Sequence, residues 1–331
     1  MTIDFAEILV ARQRLAGRVL RTPQREAGAL SARLGVPVQL KCEHHQTTGS
    51  FKLRGATNAV LALDGARREA GVVAASTGNH GRALAHAAAA AGTRAVICMS
   101  RLVPANKVEA IEALGAEIRI VGNSQDDAQV EVDRLAAEAG MTPVPPFDHA
   151  DVIAGQGTLG LEILEDAPFA TTVLVPLSGG GLLSGVALAL RTLNPAIRII
   201  GVTMENGAAM QASLAAGKPV MVEEVPTLAD SLGGGIGLEN RHTFTMVRDL
   251  VDEVALVGEA DIAQAMRTAY FEEGEVLEGA AAVGIAALDS GKVTLAGPAV
   301  ILLSGKNVDM ALHRRIMAGE NPDLAAERDR G

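Results

Sequence analysis

Aromatic residues are scarce in this sequence: 2% of 331, with no tryptophan and a single tyrosine, Tyr270. That scarcity speaks against holding single-stranded nucleic acid by base stacking. A net charge of −10 speaks against a phosphate-backbone partner of any kind. Cysteine is nearly absent, with Cys42 and Cys98 each set in an apolar, strand-like run. No CxxC pair and no Cys/His cluster is read around them, so neither a disulfide framework nor a zinc site is expected. Two reduced, buried thiols suit a cytoplasmic protein. The first residues include Asp4 and Glu7 instead of a basic and then apolar run, so no signal peptide is expected. Long apolar runs are also rare. The uncharged stretch Thr171 to Leu190 has the length of a membrane span, but Pro176 and Gly179-Gly180-Gly181 would break a helix at its middle. A strand, a glycine loop and a helix explain it better, and no membrane partner is expected.

What is present is the raw material of a large globular fold. Hydrophobic residues make up 48% and charged residues 21%, and 331 residues suffice for two domains or one large α/β unit. Hydrophobic spacing predicts helices over 4–15 and over 27–34, the second stopping at Gly35. A strand over 38–43 leads into a polar loop and a further helix. From residue 70 the chain alternates, with strands at 72–75, 95–99 and 118–121 and helices at 81–91, 105–114 and 126–139. Pro143, Pro145 and Pro146 mark a boundary. Beyond it come a helix at 157–164, a strand at 173–176, a helix at 182–193, a strand at 197–202 and a last strand at 299–303. This order predicts an α/β fold with parallel sheets and right-handed crossovers.

Three stretches carry chemistry. In Gly49-Ser50-Phe51-Lys52-Leu53-Arg54-Gly55-Ala56 the lysine opens a helix straight after a polar loop. Desolvation at such a place lowers an amine's pKa and makes it a nucleophile, able to form a Schiff base with a carbonyl substrate or with pyridoxal phosphate. Ser178-Gly179-Gly180-Gly181 lies between a strand and a helix, where main-chain N–H groups can converge on an anion. It is neither a dinucleotide GxGxxG nor a Walker lysine loop. Ala75-Ser76-Thr77-Gly78-Asn79-His80-Gly81 occupies a second strand-to-helix turn, able to hold a carboxylate or a ring oxygen, or simply to cap its helix.

Ser50 to Ala56, with Lys41-Cys42-Glu43 and Gln46-x-Thr48-Gly49 upstream, closely resembles the cofactor-lysine motif of the threonine dehydratase and serine racemase family. The ordered motifs continue from about residue 20 to 310. The resemblance implies the tryptophan-synthase-β-like, fold-type II architecture of two parallel-sheet α/β domains. The larger, cofactor-binding domain would comprise 1–68 and 148–331, the smaller inserted one 69–147, with pyridoxal phosphate between them. It implies that Lys52 holds the cofactor and removes the substrate α-proton, with Phe51 beside it. Ser178, Gly179, Gly180, Gly181 and Leu182 would cradle the phosphate, Asn79 would face the ring oxygen, and Ser304 the pyridine nitrogen. Glu278 would lie near the cofactor. Ser76, Thr77 and His80, with Asn79, would face the substrate carboxylate; Thr77 matches neither the serine of racemases nor the alanine common in dehydratases. Gly234, in a glycine run after Asp230-Ser231-Leu232, and Lys306, where relatives usually have glycine, would face the substrate. The family's divalent-cation positions fall on Thr203 and Ala209, which offer no carboxylate, so no metal is expected.

The implied activity is elimination of water from a 3-hydroxy amino acid to give a keto acid and ammonia, by a homodimer. Ser76 to Arg82, Gly207 to Met210 and Leu228 to Gly235 look most like the hydroxyectoine-utilisation dehydratases. Plain threonine/serine dehydration and 3-hydroxyaspartate dehydration stay open, with serine racemisation behind them. A nucleotide-binding regulator, or a member that has lost catalysis, is disfavoured by Lys52, Ser304 and the glycine loop together. The stretch after Ser304 is too short for the regulatory domain of biosynthetic threonine dehydratases, so feedback through such a domain is not expected.

Overall fold

The computed structural model describes residues 3–76, 78–103, 105–324 and 327. Among them ten strands form two sheets. The strands are β1 (Gln24–Glu26), β2 (Val38–Cys42), β3 (Val72–Ala75), β4 (Ala95–Met99), β5 (Glu117–Ile120) and β6 (Thr142–Pro143), then β7 (Thr172–Pro176), β8 (Arg198–Met204), β9 (Glu253–Val257) and β10 (Ala299–Leu303). The larger sheet runs β1-β2-β10-β7-β8-β9 and the smaller β5-β4-β3-β6. Every neighbouring pair is parallel except β1 with β2. The α/β class and its parallel sheets thus stand as the alternation predicts.

Near-continuous apolar runs such as Val173-Leu174-Val175 and Ala299 to Leu303 are what a sheet covered on both faces requires. Successive side chains of a strand point to opposite faces. Ile301 and Leu303 accordingly join Leu174, Ile200 and Val202 under the helices Glu259–Phe271 and Gly279–Asp289. Val300 and Leu302 join Val173, Val175 and Ile199 under the helices Ala150–Asp166 and Gly181–Leu193. The smaller sheet is covered likewise, Val72, Ala74 and Ile97 facing the helices Asn79–Ala90 and Lys52–Ala62, and Val73, Val96 and Cys98 facing Gln125–Ala139.

Several elements differ from the sequence pattern. Glu43 belongs to a short 3-10 turn, Glu43–His45, instead of the strand. The helix predicted over 157–164 starts seven residues earlier, at Ala150. β1, with the sequence Gln-Arg-Glu, has no apolar residue to reveal it, and β9 is a half-buried edge strand opening on Glu253.

The topology decides where a site can form. In the order β2-β10-β7 three parallel strands end side by side, and their carboxyl ends lead to the Lys52 loop, to Ser304 and to the Ser178 loop. The chain leaves β7 over one face of the sheet and returns to β10 over the other. That reversal opens a crevice between neighbouring strand ends, the usual place for a ligand in an open α/β sheet.

Candidate active site

The Lys52 loop is stitched to the end of β10 by main-chain bonds. Phe51 N donates to Ser304 O (3.0 Å), Lys306 N donates to Gly49 O (2.9 Å), and Ser50 bridges Gly305. Lys52 opens the helix Lys52–Ala62, with Phe51 as its cap. The ammonium donates to Pro146 O at 2.6 Å and lies 5.3 Å from the centre of the Phe51 ring. Lys52 is only partly covered, yet burial of its amine lowers the pKa from 10.5 to about 8, against the opposing pull of Glu278.

Two residues further along, Arg54 anchors the same helix. It is 1% exposed and donates to Glu43 (2.8 and 2.9 Å) and to Glu162 (2.6 and 3.0 Å). Lys41, fully buried on β2, lies 2.6 Å from Glu162 and donates to Thr22 O at 2.8 Å. Two cations and two carboxylates therefore balance inside the protein, between the helices that carry Lys52 and Glu162.

The glycine loop is built for close approach. Gly180 has φ +88°, and a side-chain carbon on Gly179 would lie 2.4 Å from the Phe147 ring. One on Gly181 would lie 2.8 Å from the Phe147 main chain. The helix Gly181–Leu193 begins here, so its first-turn N–H groups have no partner within the helix. Ser178 is half-buried, whereas the Leu182 side chain packs into the core, leaving its N–H for any anion. Pro146, read from the sequence only as part of a boundary, and Phe147, given no part there, connect this loop to Lys52.

On the other side of the crevice Ser76 Oγ accepts from Gly81 N at 3.1 Å, satisfying a first-turn N–H of the helix whose N-cap is Gly78. Thr77 lies outside the described residues. His80 donates from Nε2 to Val144 O at 2.7 Å, and its Nδ1 is buried without a partner. Burial, then the charge of Lys52, pulls its pKa down to about 3. A neutral ring with its proton on Nε2 has nothing to donate from Nδ1, so His80 can serve a carboxylate only through its main-chain N–H.

Asn79 donates from Nδ2 to Glu278 (2.8 and 3.1 Å) and accepts from Asn307 Nδ2 at 2.6 Å. Asn307 also donates from Nδ2 to Thr48 O (3.0 Å) and from its main chain to Glu278 (3.2 Å). Its side chain fills the space beside Gly49, φ +79°, where an added carbon would stand 2.6 Å from Oδ1. Sequence reasoning gave Asn307 no part, although it closes the Ser304-Gly305-Lys306-Asn307 string. Glu278 is 3% exposed, and burial pushes its carboxyl up to about 7. Ser304 is likewise buried. Ser231 Oγ lies 3.4 Å from Asn79 Nδ2, bringing the start of the Gly233-Gly234-Gly235 run to the crevice. Gly234 itself has φ +94° and open space where a side chain would stand. Lys306 is exposed and makes no ion pair with the described residues.

The positions that the resemblance assigns to a cation hold no carboxylate. Thr203 is buried with Oγ1 on Met204 Sδ (3.2 Å), Ala209 carries no oxygen, and Glu205 pairs with Lys292 at 3.4 Å. A different group does assemble. The fold makes the Cys/His cluster that the sequence pattern did not reveal, bringing ligand-capable atoms of Cys42, His44 and His45 within 4.8 Å of one another.

A desolvated lysine and a glycine loop, joined through Pro146 and Phe147 at the ends of parallel strands, define a class of protein. The chain belongs to the family of pyridoxal-phosphate-dependent enzymes, whose family model matches residues 15–305. Its relatives narrow the setting. A Sinorhizobium fredii protein, provisionally named a threonine dehydratase, is 60% identical over 318 residues, 96% of either chain. The L-threo-3-hydroxyaspartate ammonia-lyase of Saccharomyces cerevisiae is 38% identical, covering 96% of this chain and 97% of that one. The structure of maize serine racemase superposes with a TM-score of 0.89 at 37% identity, covering 96% of this chain and 98% of the other.

The site fits pyridoxal phosphate on its own geometry. Any side chain at Gly179 or Gly181 would collide with Phe147, so glycine alone lets the loop turn here with the N–H groups that open the helix Gly181–Leu193 free for a phosphate, and a partly deprotonated amine stands ready for an aldehyde. Among the described residues no helix is long and apolar enough to cross a membrane.

Proposed function

We propose that this protein is an ammonia-lyase that removes water from a 3-hydroxy amino acid and releases a keto acid and ammonia. The observation that carries the reading is Lys52, an amine with its pKa lowered to about 8, held beside Glu278 and the glycine cradle. Near pH 8 about half of such an amine is free base, against roughly 0.3% of an ordinary lysine.

Lys52 would hold the cofactor aldehyde, the main-chain N–H groups of Ser178 to Leu182 its phosphate, Asn79 its ring oxygen and Ser304 its ring nitrogen. Pyridoxal phosphate, when bound, supplies an electron-withdrawing ring that makes the α-proton of an attached amino acid acidic. Lys52 Nζ, freed once the substrate amine has taken its place, would take that proton. The β-hydroxyl leaves with a proton as water, and the enamine left behind tautomerises and hydrolyses to keto acid and ammonia. A Ser304 hydroxyl, unlike a carboxylate, does not hold a ring nitrogen protonated, which favours elimination over chemistry needing a long-lived carbanion. Ser76 and the N–H groups of Asn79 and His80, at the start of their helix, would orient the substrate carboxylate, with Thr77 as a weak acid/base group at most. Asn307 and Glu278 fix the Asn79 amide between them.

The finer reading is a substrate with an additional polar or anionic group, 3-hydroxyaspartate or an acid derived from hydroxyectoine. It rests on exposed, unpaired Lys306, on the room around Gly234, and on the likeness of Ser76 to Arg82 and Leu228 to Gly235 to hydroxyectoine-utilisation dehydratases. A division into 1–68 with 148–331 and an inserted 69–147 is supported by the smaller sheet, whose strands all fall between residues 72 and 143. A cytoplasmic homodimer completes the proposal; free, buried Cys42 and Cys98 suit a reducing compartment.

The experiment compares kcat/KM for serine, threonine, 3-hydroxyaspartate and hydroxyectoine breakdown products in the wild type, Lys52→Ala and Lys306→Gly. Loss of all turnover in Lys52→Ala, and a preference for the anionic substrates that Lys306→Gly weakens, is the expected result. Near-normal dehydration without Lys52 would overturn the mechanism. A preference for serine or threonine untouched by Lys306→Gly would overturn the finer reading alone.

A further inference from the structure

The alternation of β2 sends Leu40 and Cys42 to the same face, and the 3-10 turn Glu43–His45 then brings two imidazoles round beside the thiol. Cys42 and His44 are buried, whereas the His45 side chain is 41% exposed and gives the cluster an opening to solvent. The rings are 4.1 Å apart between centres and tilted by 57°. Their Nε2 atoms share one oxygen of Glu275, at 2.7 Å from His44 and 3.0 Å from His45. His44 Nδ1 is buried beside the Leu303 main chain and makes no well-formed hydrogen bond there.

We propose that Cys42, His44 and His45, backed by Glu275, form a binding site for a zinc-like divalent transition metal. The carboxylate would play the part it plays behind many metal-bound histidines. By accepting a proton-bearing ring nitrogen it sets the tautomer and turns the opposite nitrogen, a bare lone pair, towards the ion. For His44 that nitrogen is Nδ1. One sulfur and two imidazole nitrogens suit zinc or cobalt and not magnesium or calcium, which take oxygen ligands. With bonds of about 2.3 Å to sulfur and 2.0–2.1 Å to nitrogen, tetrahedral ligand atoms stand about 3.3–3.8 Å apart. The ligand atoms, which lie within 4.8 Å of one another, must therefore draw together by up to about 1 Å to meet one ion.

The charges favour the ion as well. Arg25 donates to Glu275 (2.9 and 3.1 Å) and to Glu273 (3.2 Å), so it is spent on these two carboxylates and leaves one negative charge over. A dication entering with a cysteine thiolate brings the group to neutrality. The Cys42 thiol donates to Leu40 O at 3.5 Å, so the sulfur carries a proton until a metal replaces it. Binding then forms a metal–sulfur bond and releases that proton to solvent, with no change in oxidation state.

The test titrates holoenzyme, cleared of unbound cofactor, with Co2+ and separately with Zn2+. One equivalent of cobalt should bind with the visible d–d bands of tetrahedral coordination, at longer wavelength than the cofactor absorbs, and Zn2+ should displace it. His45→Ala, a change at an exposed ring, should weaken cobalt binding by about tenfold or more, and Glu275→Gln by about 10–100-fold. Cys42→Ser should remove the sulfur-to-cobalt charge-transfer band. A spectrum of octahedral cobalt only, or binding unchanged in His45→Ala, overturns the site. Turnover assays do not enter, so the proposed reaction and this site stand or fall separately.

Discussion

Replacing Arg54 by methionine removes one of the two cations of a largely buried cluster, whose Glu162 is 13% exposed, and keeps most of the side-chain volume. Glu43, completely buried, then loses two bonds of 2.8 and 2.9 Å and retains Thr22 Oγ1 at 2.5 Å. Glu162 fares better because Lys41 stays 2.6 Å away. One carboxylate is thus left buried with no counter-charge, a change that costs about 3–5 kcal/mol. Glu43→Leu alone should cost as much for the opposite reason, leaving Arg54 with only half its partners. The double variant leaves Lys41 facing Glu162, a balanced pair, and should lose no more than about 2 kcal/mol, since a buried ion pair replaced by apolar groups of similar volume is often neutral. Denaturant unfolding of the apoproteins, followed by two probes to check cooperativity, gives the cycle. A single-variant cost below about 1 kcal/mol, or single costs that simply add, would refute the account. The cluster also has a pH signature. Burial would raise the Glu162 carboxyl, but Arg54 and Lys41 outweigh it and hold it below its usual 4.5. Its stabilisation is therefore complete above that value and fades as pH falls through the lower folded-state value.

Three further outcomes follow from the site. In the apoprotein, reductive methylation of Lys52 should reach half its maximal rate near pH 8, two units or more below the bulk lysines, and a midpoint near 10 would show that the amine is not desolvated. Glu278, raised from 4.5 to about 7, favours the folded apoprotein when protonated, so stability should fall as pH rises through 7, by about 3 kcal/mol in the limit of full coupling. Glu278→Gln should flatten that slope between pH 5 and 8, and an unchanged slope would place its origin elsewhere. Added magnesium or calcium should leave kcat/KM unchanged, because Thr203, Ala209 and the Lys292-bound Glu205 provide no open carboxylate; a clear stimulation would reveal oxygen ligands elsewhere.

Much of the cofactor side of the site was legible in the residues themselves. Lys52 and Ser178 to Gly181 sit at strand carboxyl ends, which local pattern reveals well when the strands are apolar runs; Ser304, at the end of another such run, took its role only from the family resemblance. The partners that fix the site were less legible, because they come from far along the chain. Asn307 meets Asn79 across 228 residues, and Pro146 meets Lys52 across 94. Neither carries a local signature. His80 shows another limit. Its residue type suggested a group for the carboxylate, but only the fold reveals that Val144 O already occupies Nε2. Cys42, His44 and His45 are adjacent in sequence, yet their convergence depends on strand alternation followed by a 3-10 turn, and Glu275 joins them from 230 residues away or more.

The place of β10 has a bearing on how the protein is made. The smaller sheet draws its four strands from one contiguous stretch, residues 72 to 143, and can assemble as soon as that stretch has left the ribosome. The larger sheet cannot, because the strand that joins β2 to β7 is the last to be synthesised. Until residues 299–303 arrive, its two parts have no shared edge, and the Lys52 loop lacks the strand end to which it is stitched at Ser304 and Lys306. Contacts of such sequence separation form late and slowly. A nascent chain therefore carries its reactive lysine, without a finished pocket around it, through the synthesis of everything between Lys52 and residues 299–303, and acquires a cofactor site only once β10 has emerged.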